Sequence, residues 1–162
     1  MVDELTVINM FLEVLGQPRK LFSYIGDDVA WTRKAVKRDK FVIKVDMLVG
    51  KTDVPRGMSL RQAARKSVVA CVSDFACKGV KPWGALVSLG LPKGFNEENV
   101  LEIVNGFKDA RNEFGIEIVG GDTNEASDLI IDCIMFGWGK NVIRRDGADT
   151  DEYVLVTGDF GL

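Results

Sequence analysis

Four acidic points stand out by where they sit: Asp27-Asp28 directly after Gly26, Asp46 inside an apolar run, Asp74 inside a helical pattern, and Asp122 in Gly120-Gly121-Asp122-Thr123. Adjacent carboxylates in a turn either close an Asx turn or grip a hard cation. A charge among Val42, Lys44 and Leu48 is costly unless paired or metal-bound, so Asp46 is either the partner of Lys44 or a ligand aimed into a cleft. Asp74 has Ala70, Cys71 and Cys77 at helical spacing, with Lys78 four residues on as an ion-pair partner. Two successive glycines make a tight turn, let a backbone approach a ligand closely, or form an anion nest. Singly these signals are weak; together they suggest one acidic site. Converging carboxylates raise one another's pKa unless cations neutralise them. Mg²⁺ is the expected cation, since the chain has no nitrogen or thiolate ligand set. Mg²⁺ with a glycine turn points toward a nucleotide polyphosphate. Neither GxxxxGK[ST] nor GxGxxG is present, so such a site is of another type.

Composition narrows the chemistry. The chain has 162 residues, no histidine, a formal net charge of −3 and 46% hydrophobic residues. The missing histidines exclude Ser-His-Asp and Cys-His triads, His-ligated zinc and His acid–base catalysis. The mildly acidic balance argues against a nucleic-acid face. No 18-residue apolar run exists and Asp3 and Glu4 stand at the start, so neither a membrane span nor a signal peptide is expected, and the protein is read as cytoplasmic. Cys71, Cys77 and Cys133 are odd in number and lack CxxC spacing, which argues against a disulfide framework or a structural zinc; lying in apolar patterns, they are expected as small buried hydrophobes, with a reactive thiol as the alternative.

The elements that must position these residues follow from periodicity and caps. Asp3 caps a helix over Glu4–Leu15, stopped by Gly16 and Pro18. Tyr24–Trp31 is a turn leading into a short strand, and Thr32–Lys40 a hairpin loop. Phe41–Val49 is a strand with Val42, Lys44, Asp46 and Leu48 on one face and Phe41, Ile43, Val45, Met47 and Val49 on the other. Ser59 caps a helix from Leu60 to about Lys78, and Asn96 caps another to Phe114, each closed by glycine. Ala85–Leu91, a short Glu117–Val119 running into the glycine turn, Leu129–Trp138 and Tyr153–Thr157 read as strands.

This order gives an α+β domain, a mixed and mainly antiparallel sheet with helices on one face. The helices are too few to cover both faces, and a bare apolar face invites a second copy, hence a homodimer. The last strand ends on a glycine turn that leads nowhere. A truncation, with a second domain missing, is therefore expected.

Five motifs occur in a telling order: Gly26-Asp-Asp-Val-Ala30, Val45-Asp-Met-Leu-Val49, Ser73-Asp-Phe-Ala-Cys-Lys-Gly-Val-Lys-Pro82, Gly120-Gly-Asp-Thr123 and Arg145-Asp-Gly-Ala148. From Tyr24 onward the chain resembles the thiamine-monophosphate kinase branch of the aminoimidazole ribonucleotide synthase superfamily. The resemblance implies a two-domain subunit, with residues 1–150 an N-terminal domain that binds ATP through several Mg²⁺ ions and 151–162 the start of a truncated C-terminal domain. It implies sheets pairing into a dimeric β-barrel, and in-line transfer of the ATP γ-phosphoryl group to thiamine monophosphate, a small phosphorylated acceptor. It implies Asp28, Asp46, Asp74 and Asp122 as metal ligands, with Asp27, Lys44, Gly120, Gly121, Thr123 and Arg145 on the nucleotide side. No catalytic nucleophile is assigned, and the chain alone is expected to be inactive. Two departures bear on the acceptor. Lys44 and Val45 stand where the family has small hydroxyl residues, so Lys44 replaces one metal ion or contacts a phosphate. Asp53 stands where the family has a histidine against the acceptor phosphate; the acceptor then differs, or Lys51 or Arg56 contacts it. The alternatives are another ATP-dependent activating enzyme of the superfamily, or a non-catalytic nucleotide-binding dimerisation domain.

Overall fold

The computed structural model describes residues 4–17, 23, 27–34 and 39–158. The expected Asp3 cap, Pro18, the Tyr24–Gly26 turn and residues 159–162 lie outside them. The elements are α1 (Glu4–Leu15), β1 (Ala30–Trp31), β2 (Lys40–Val49), α2 (Gly50–Asp53), α3 (Leu60–Cys77), β3 (Lys81–Pro92), α4 (Glu97–Phe114), β4 (Glu117–Ala126) and β5 (Ile130–Gly139).

The two long helices form where their caps place them. The Ser59 hydroxyl accepts from the Gln62 N–H at 3.2 Å, and the Gln62 side chain accepts from the Ser59 N–H at 2.9 Å. Asn96 and Asn99 repeat this reciprocal box, both bonds at 3.0 Å. Two orphan N–H groups are satisfied at each start. Gly115 closes α4 at φ 63°, a left-handed conformation that glycine adopts without a Cβ clash.

The strands order β1-β2-β5-β3-β4. Neighbours are antiparallel except β3 and β4, which run parallel across α4 as a βαβ unit. Alternation decides which face is covered. Val42 and Leu48 of β2 and Ile131, Cys133 and Met135 of β5 are buried against Ala64, Val68, Cys71 and Phe75 of α3. On the opposite face Val45 is 57% and Met47 59% exposed. That face also carries an aromatic row: Phe41 lies 5.2 Å from Trp138, and Trp138 lies 6.5 Å from Trp83, ring centre to ring centre. Helices α3 and α4 both pack on the first of these faces, in line with the expectation that the helices are too few to cover two.

Three sequence expectations change. Gly120–Thr123 is no turn, because β4 runs through it to Ala126. A Cβ on Gly121 would meet the Val87 carbonyl oxygen at 1.7 Å, so this glycine serves the close approach of β4 to β3. Tyr153–Thr157 is no strand: Tyr153, Val154 and Leu155 are about nine-tenths exposed, and no described strand pairs with them. Cys77 is exposed, its thiol donating to the Asp74 carbonyl, while Cys71 and Cys133 are buried. The short helix α2 was not read from the sequence. It is tied down by Asp128, which accepts from the Lys51 N–H at 3.0 Å, and by the Gly50 N–H donating to the Leu129 carbonyl at 2.7 Å.

Candidate functional site

Asp27, Asp28, Lys44, Asp46, Asp74, Lys78 and Arg145 meet at the β1–β2 side of the sheet. Each comes from a different local device. Lys44 and Asp46 are two apart on β2 and so point to the helix-covered face, where Asp74 of α3 looks back at them. The Lys44 Nζ stands 2.7 Å from Asp74 Oδ2 and 3.9 Å from Asp46 Oδ2. The loop before β1 brings Asp27 and Asp28 to the C-terminal end of α3. There Lys78, its side chain 3% exposed, reaches both, at 2.8 and 2.9 Å. Arg145 closes the group from the far end of the chain: its N–H donates to Asp27 at 3.3 Å, and its guanidinium lies 3.7 Å from Asp28.

The ion pairing differs from the simplest sequence reading. Asp74 does not pair with Lys78 four residues along its helix; it pairs with Lys44, and Lys78 turns to Asp27 and Asp28. Lys78 is the site residue that sequence reasoning assigned to the wrong acid. Its signal is a lysine at the C-terminal cap of a helix with a mostly apolar buried face.

Electrostatics ties the two halves together. The Asp28 carboxyl is held below the usual aspartate value, first by its hydrogen bond from Lys78, then by the charges of Lys78, Arg145 and Lys44 against the opposing effect of burial. Burial pulls the Lys44 ammonium down, but the bond to Asp74 and the charges of Asp46 and Asp74 outweigh it, and its pKa is raised. Lys78 is raised in the same way by Asp27 and Asp28.

Carboxylate oxygens are the right donors for a hard cation such as Mg²⁺. Asp28 is 33% and Asp46 38% exposed at the side chain, so both keep oxygen toward the cleft. Among the described residues, no three acidic or thiol side chains are arranged to hold one ion. A hard cation at either acid would take most of its oxygens from water or from a ligand.

Asp122, Gly120, Gly121 and Thr123 stand elsewhere. They lie on edge strand β4, across the sheet from β2. Asp122 pairs in register with Ser88, Ser88 with Asp132, and Asp132 with Met47. Asp122 is thus three strand spacings from β2, about 14 Å. It belongs to a row whose Met47 end is on the uncovered face, whereas Asp46 points to the covered one.

A cavity of about 160 Å³ opens beside the cluster, lined by Asp46, Asp53, Lys66 and Ser67 among others. Asp53 is turned inward on its own turn: its carboxylate accepts from the Val49 N–H at 2.7 Å and the Thr52 hydroxyl at 3.2 Å. The Lys66 ammonium donates to the Asp53 carbonyl. Lys51 and Arg56 are exposed and do not line this cavity. Lys66, a long cation on the cleft side of α3, is a second residue that the sequence reading missed.

Comparison with known proteins agrees with this architecture. Residues 26–139 match the AIR synthase related protein, N-terminal domain family. A thiamine-monophosphate kinase of Nitrosopumilus maritimus is 39% identical over 99% of this chain and 49% of its own length, and one of Pyrococcus horikoshii is 35% identical over 98% and 49%. The solved structure of AaThiL complexed with AMPPCP and TMP superposes with a TM-score of 0.79 at 27% identity, over 90% of this chain and 45% of that one. Thiamine monophosphate kinase from Aquifex aeolicus gives 0.76 at 25%, over 92% and 47%. The chain spans about half the length of the curated relatives it matches. By its matched span and by its sheet, the chain belongs to the AIR synthase related family, as an N-terminal domain of that family.

Proposed function

We propose that this chain is the nucleotide-binding half of an ATP- and Mg²⁺-dependent phosphotransferase that moves the γ-phosphoryl group of ATP to thiamine monophosphate, giving thiamine diphosphate. The observation that carries the reading is the convergence of four carboxylates, from the 27–28 loop, β2 and α3, around the ammonium groups of Lys44 and Lys78. It is supported by relatives named thiamine-monophosphate kinase and by a superposable structure bound to AMPPCP and TMP.

Phosphoryl transfer needs positioning and charge neutralisation more than a covalent nucleophile. Mg²⁺, when bound, supplies neutralisation of the polyphosphate charge, and Asp28 and Asp46 are the residues that would hold it. The chain's own residues do the positioning. Lys78 clamps the Asp27–Asp28 loop against α3. Lys44 sets Asp46 and Asp74 at fixed separation. Arg145 offers an exposed guanidinium to a phosphate at the cleft mouth. In the neighbouring cavity Lys66, rather than Lys51 or Arg56, is the cation placed for an acceptor phosphate. Asp53 is satisfied by its own backbone and repels that phosphate less than its position in the sequence suggests.

Asp122 joins this site only from a second copy. The uncovered apolar face argues for that copy. So does Asp132, whose Oδ1 is the one buried side-chain oxygen without a hydrogen-bond partner among the described residues. A face-to-face homodimer would cover both and bring one subunit's β4 edge toward its partner's cleft. A second domain following residue 150 would complete the acceptor pocket. A cytoplasmic location accords with this substrate chemistry, and no described helix is long and apolar enough to cross a membrane.

Calorimetric titration of a non-hydrolysable ATP analogue, with and without Mg²⁺, tests the site. Binding is expected to depend on Mg²⁺ and to weaken at least about ten-fold in Asp46→Asn. Unchanged affinity in that variant would refute the acidic-cleft reading. Production of ADP that requires thiamine monophosphate, by the polypeptide carrying both domains, tests the acceptor.

A further inference from the structure

Four carboxylates in one cleft would repel one another if nothing stood between them. In this chain the space between them is filled. Asp27, Asp28, Asp46 and Asp74 bring four negative charges, and Lys44, Lys78 and Arg145 bring three positive ones. The distribution is uneven. Lys78 and Arg145 share the loop carboxylates, whereas Lys44 is the one described cation within ion-pair distance of Asp46 or Asp74. Its stem rises from the core face of β2 between the buried Val42 and Leu48, so the strand aims it. Its side chain is 20% exposed, which leaves little room for it to swing out into water.

We infer that the Lys44 ammonium is a resident cation standing in the place of a divalent ion between Asp46 and Asp74, so that this chain takes one Mg²⁺ fewer than the same acids would take without it. The inference rests on the proposed reading of the cleft as a cation-assisted nucleotide site.

The chemistry of the two cations separates them. Mg²⁺ takes oxygens at about 2.0–2.1 Å in octahedral geometry and keeps several waters. An ammonium donates three hydrogen bonds at ordinary N···O distances, as the 2.7 Å contact with Asp74 does. One N–H lies on Asp74 and one faces Asp46, and the third is available to a phosphoryl oxygen. With Lys44 present the cluster is near neutrality and has one exposed acid on each side, Asp28 and Asp46. Without it, the Asp46–Asp74 pair carries two uncompensated charges, the match for one divalent ion.

Mn²⁺, detected by electron paramagnetic resonance as free against bound ion, is the probe. The purified chain is compared with Lys44→Thr, in which a β-branched residue keeps the strand. Lys44→Thr is expected to bind one more Mn²⁺ per chain than the wild type, and Lys44→Thr/Asp74→Asn to lose that additional ion. Equal stoichiometry in the wild type and a folded Lys44→Thr, with the wild type still binding Mn²⁺, overturns this inference alone. Failure of every protein to bind Mn²⁺ brings down the cation reading of the cleft as well. A second readout needs no variant: the ¹⁵Nζ resonance of Lys44 should persist at saturating Mg²⁺. Its loss on adding Mg²⁺, as the ammonium is released to exchange with water, would show the ion taking the lysine's place and would overturn the inference.

Discussion

Two sets of ion pairs cross between elements of this domain, and they differ in almost everything except charge. Along the α3–α4 seam, Arg61 meets Asp109 with bonds of 2.6 and 2.8 Å, and Arg65 meets Glu113 with bonds of 2.8 and 2.7 Å. Each arginine there has one acid, each acid one arginine, and all four side chains lie at or near the surface. In the cleft, Lys78 serves two acids, Asp28 answers to two cations, and Lys78 is buried. Paired one to one in water, charges gain little over their hydration. Shared and withdrawn from water, they depend on one another, and removing one leaves an uncompensated charge. The seam decorates helices that close packing already holds. The cleft is a structure made of charge, and such places suit the binding of charged ligands.

The sharpest way to break this comparison is Lys78→Ala. It leaves Asp27 and Asp28 facing each other with Arg145 as their one remaining ion-pair partner among the described residues, and is expected to cost about 3–5 kcal/mol. Urea unfolding followed by circular dichroism reads it. A loss no larger than that of a surface pair would mean that water already reaches the cleft and that the contrast is illusory. Lys78→Met, which fills the same volume without charge, should cost as much or more if the acids are the sufferers, and less if packing is.

Gly106→Ala asks what holds the seam. A Cβ there would meet the Arg61 carbonyl oxygen at 2.2 Å and the Ala64 Cβ at 2.8 Å, neither of which can swing aside. Forcing the helices apart should cost about 1–3 kcal/mol in the same measurement. If the arginine pairs held the seam, this methyl would matter less than they do.

The smallest effect belongs to those pairs. A double-mutant cycle on Arg65 and Glu113 is expected to give a coupling of about 0.2–1 kcal/mol that fades in salt. The Arg61–Asp109 pair adds a pH signature. The hydrogen bond from Arg61 holds the Asp109 carboxyl below its ordinary value of 3.8. A lowered folded-state pKa favours the native state above pH 3.8, and this contribution is lost as pH falls through the depressed value. Acid titration of Arg61→Ala should therefore run parallel to the wild type at neutral pH and converge with it below pH 3.8. Divergence at low pH would assign the acid sensitivity to other groups.

Much of this molecule is local in origin, and that part was legible. Ser59 with Gln62 and Asn96 with Asn99 mark helix starts because each cap is a bond between residues three apart. The alternation of β2 named its two faces, because a strand's side chains alternate whatever lies beyond. The absence of histidine excluded whole chemistries before any fold was known. The motif order pointed to the family, and Asp27, Asp28, Lys44, Asp46, Asp74 and Arg145 were singled out and do meet. The strand through Gly120–Thr123 was illegible, because paired glycines read locally as a turn and only the neighbouring β3 makes them extended. The exposed Tyr153–Thr157 has a strand's composition, yet no described strand pairs with it, and strands exist only in pairs. Partner choice was equally out of reach. Spacing alone gave Asp74 to Lys78, while the fold gave Asp74 to Lys44 and Lys78 to Asp27 and Asp28. Residue types, caps and periodicity are properties of neighbours along the chain and were determined by the sequence alone. Which acid faces which cation, and that Asp122 lies across the sheet from the others, were decided only by tertiary structure, because Coulomb interactions depend on distance in space and not on separation along the chain.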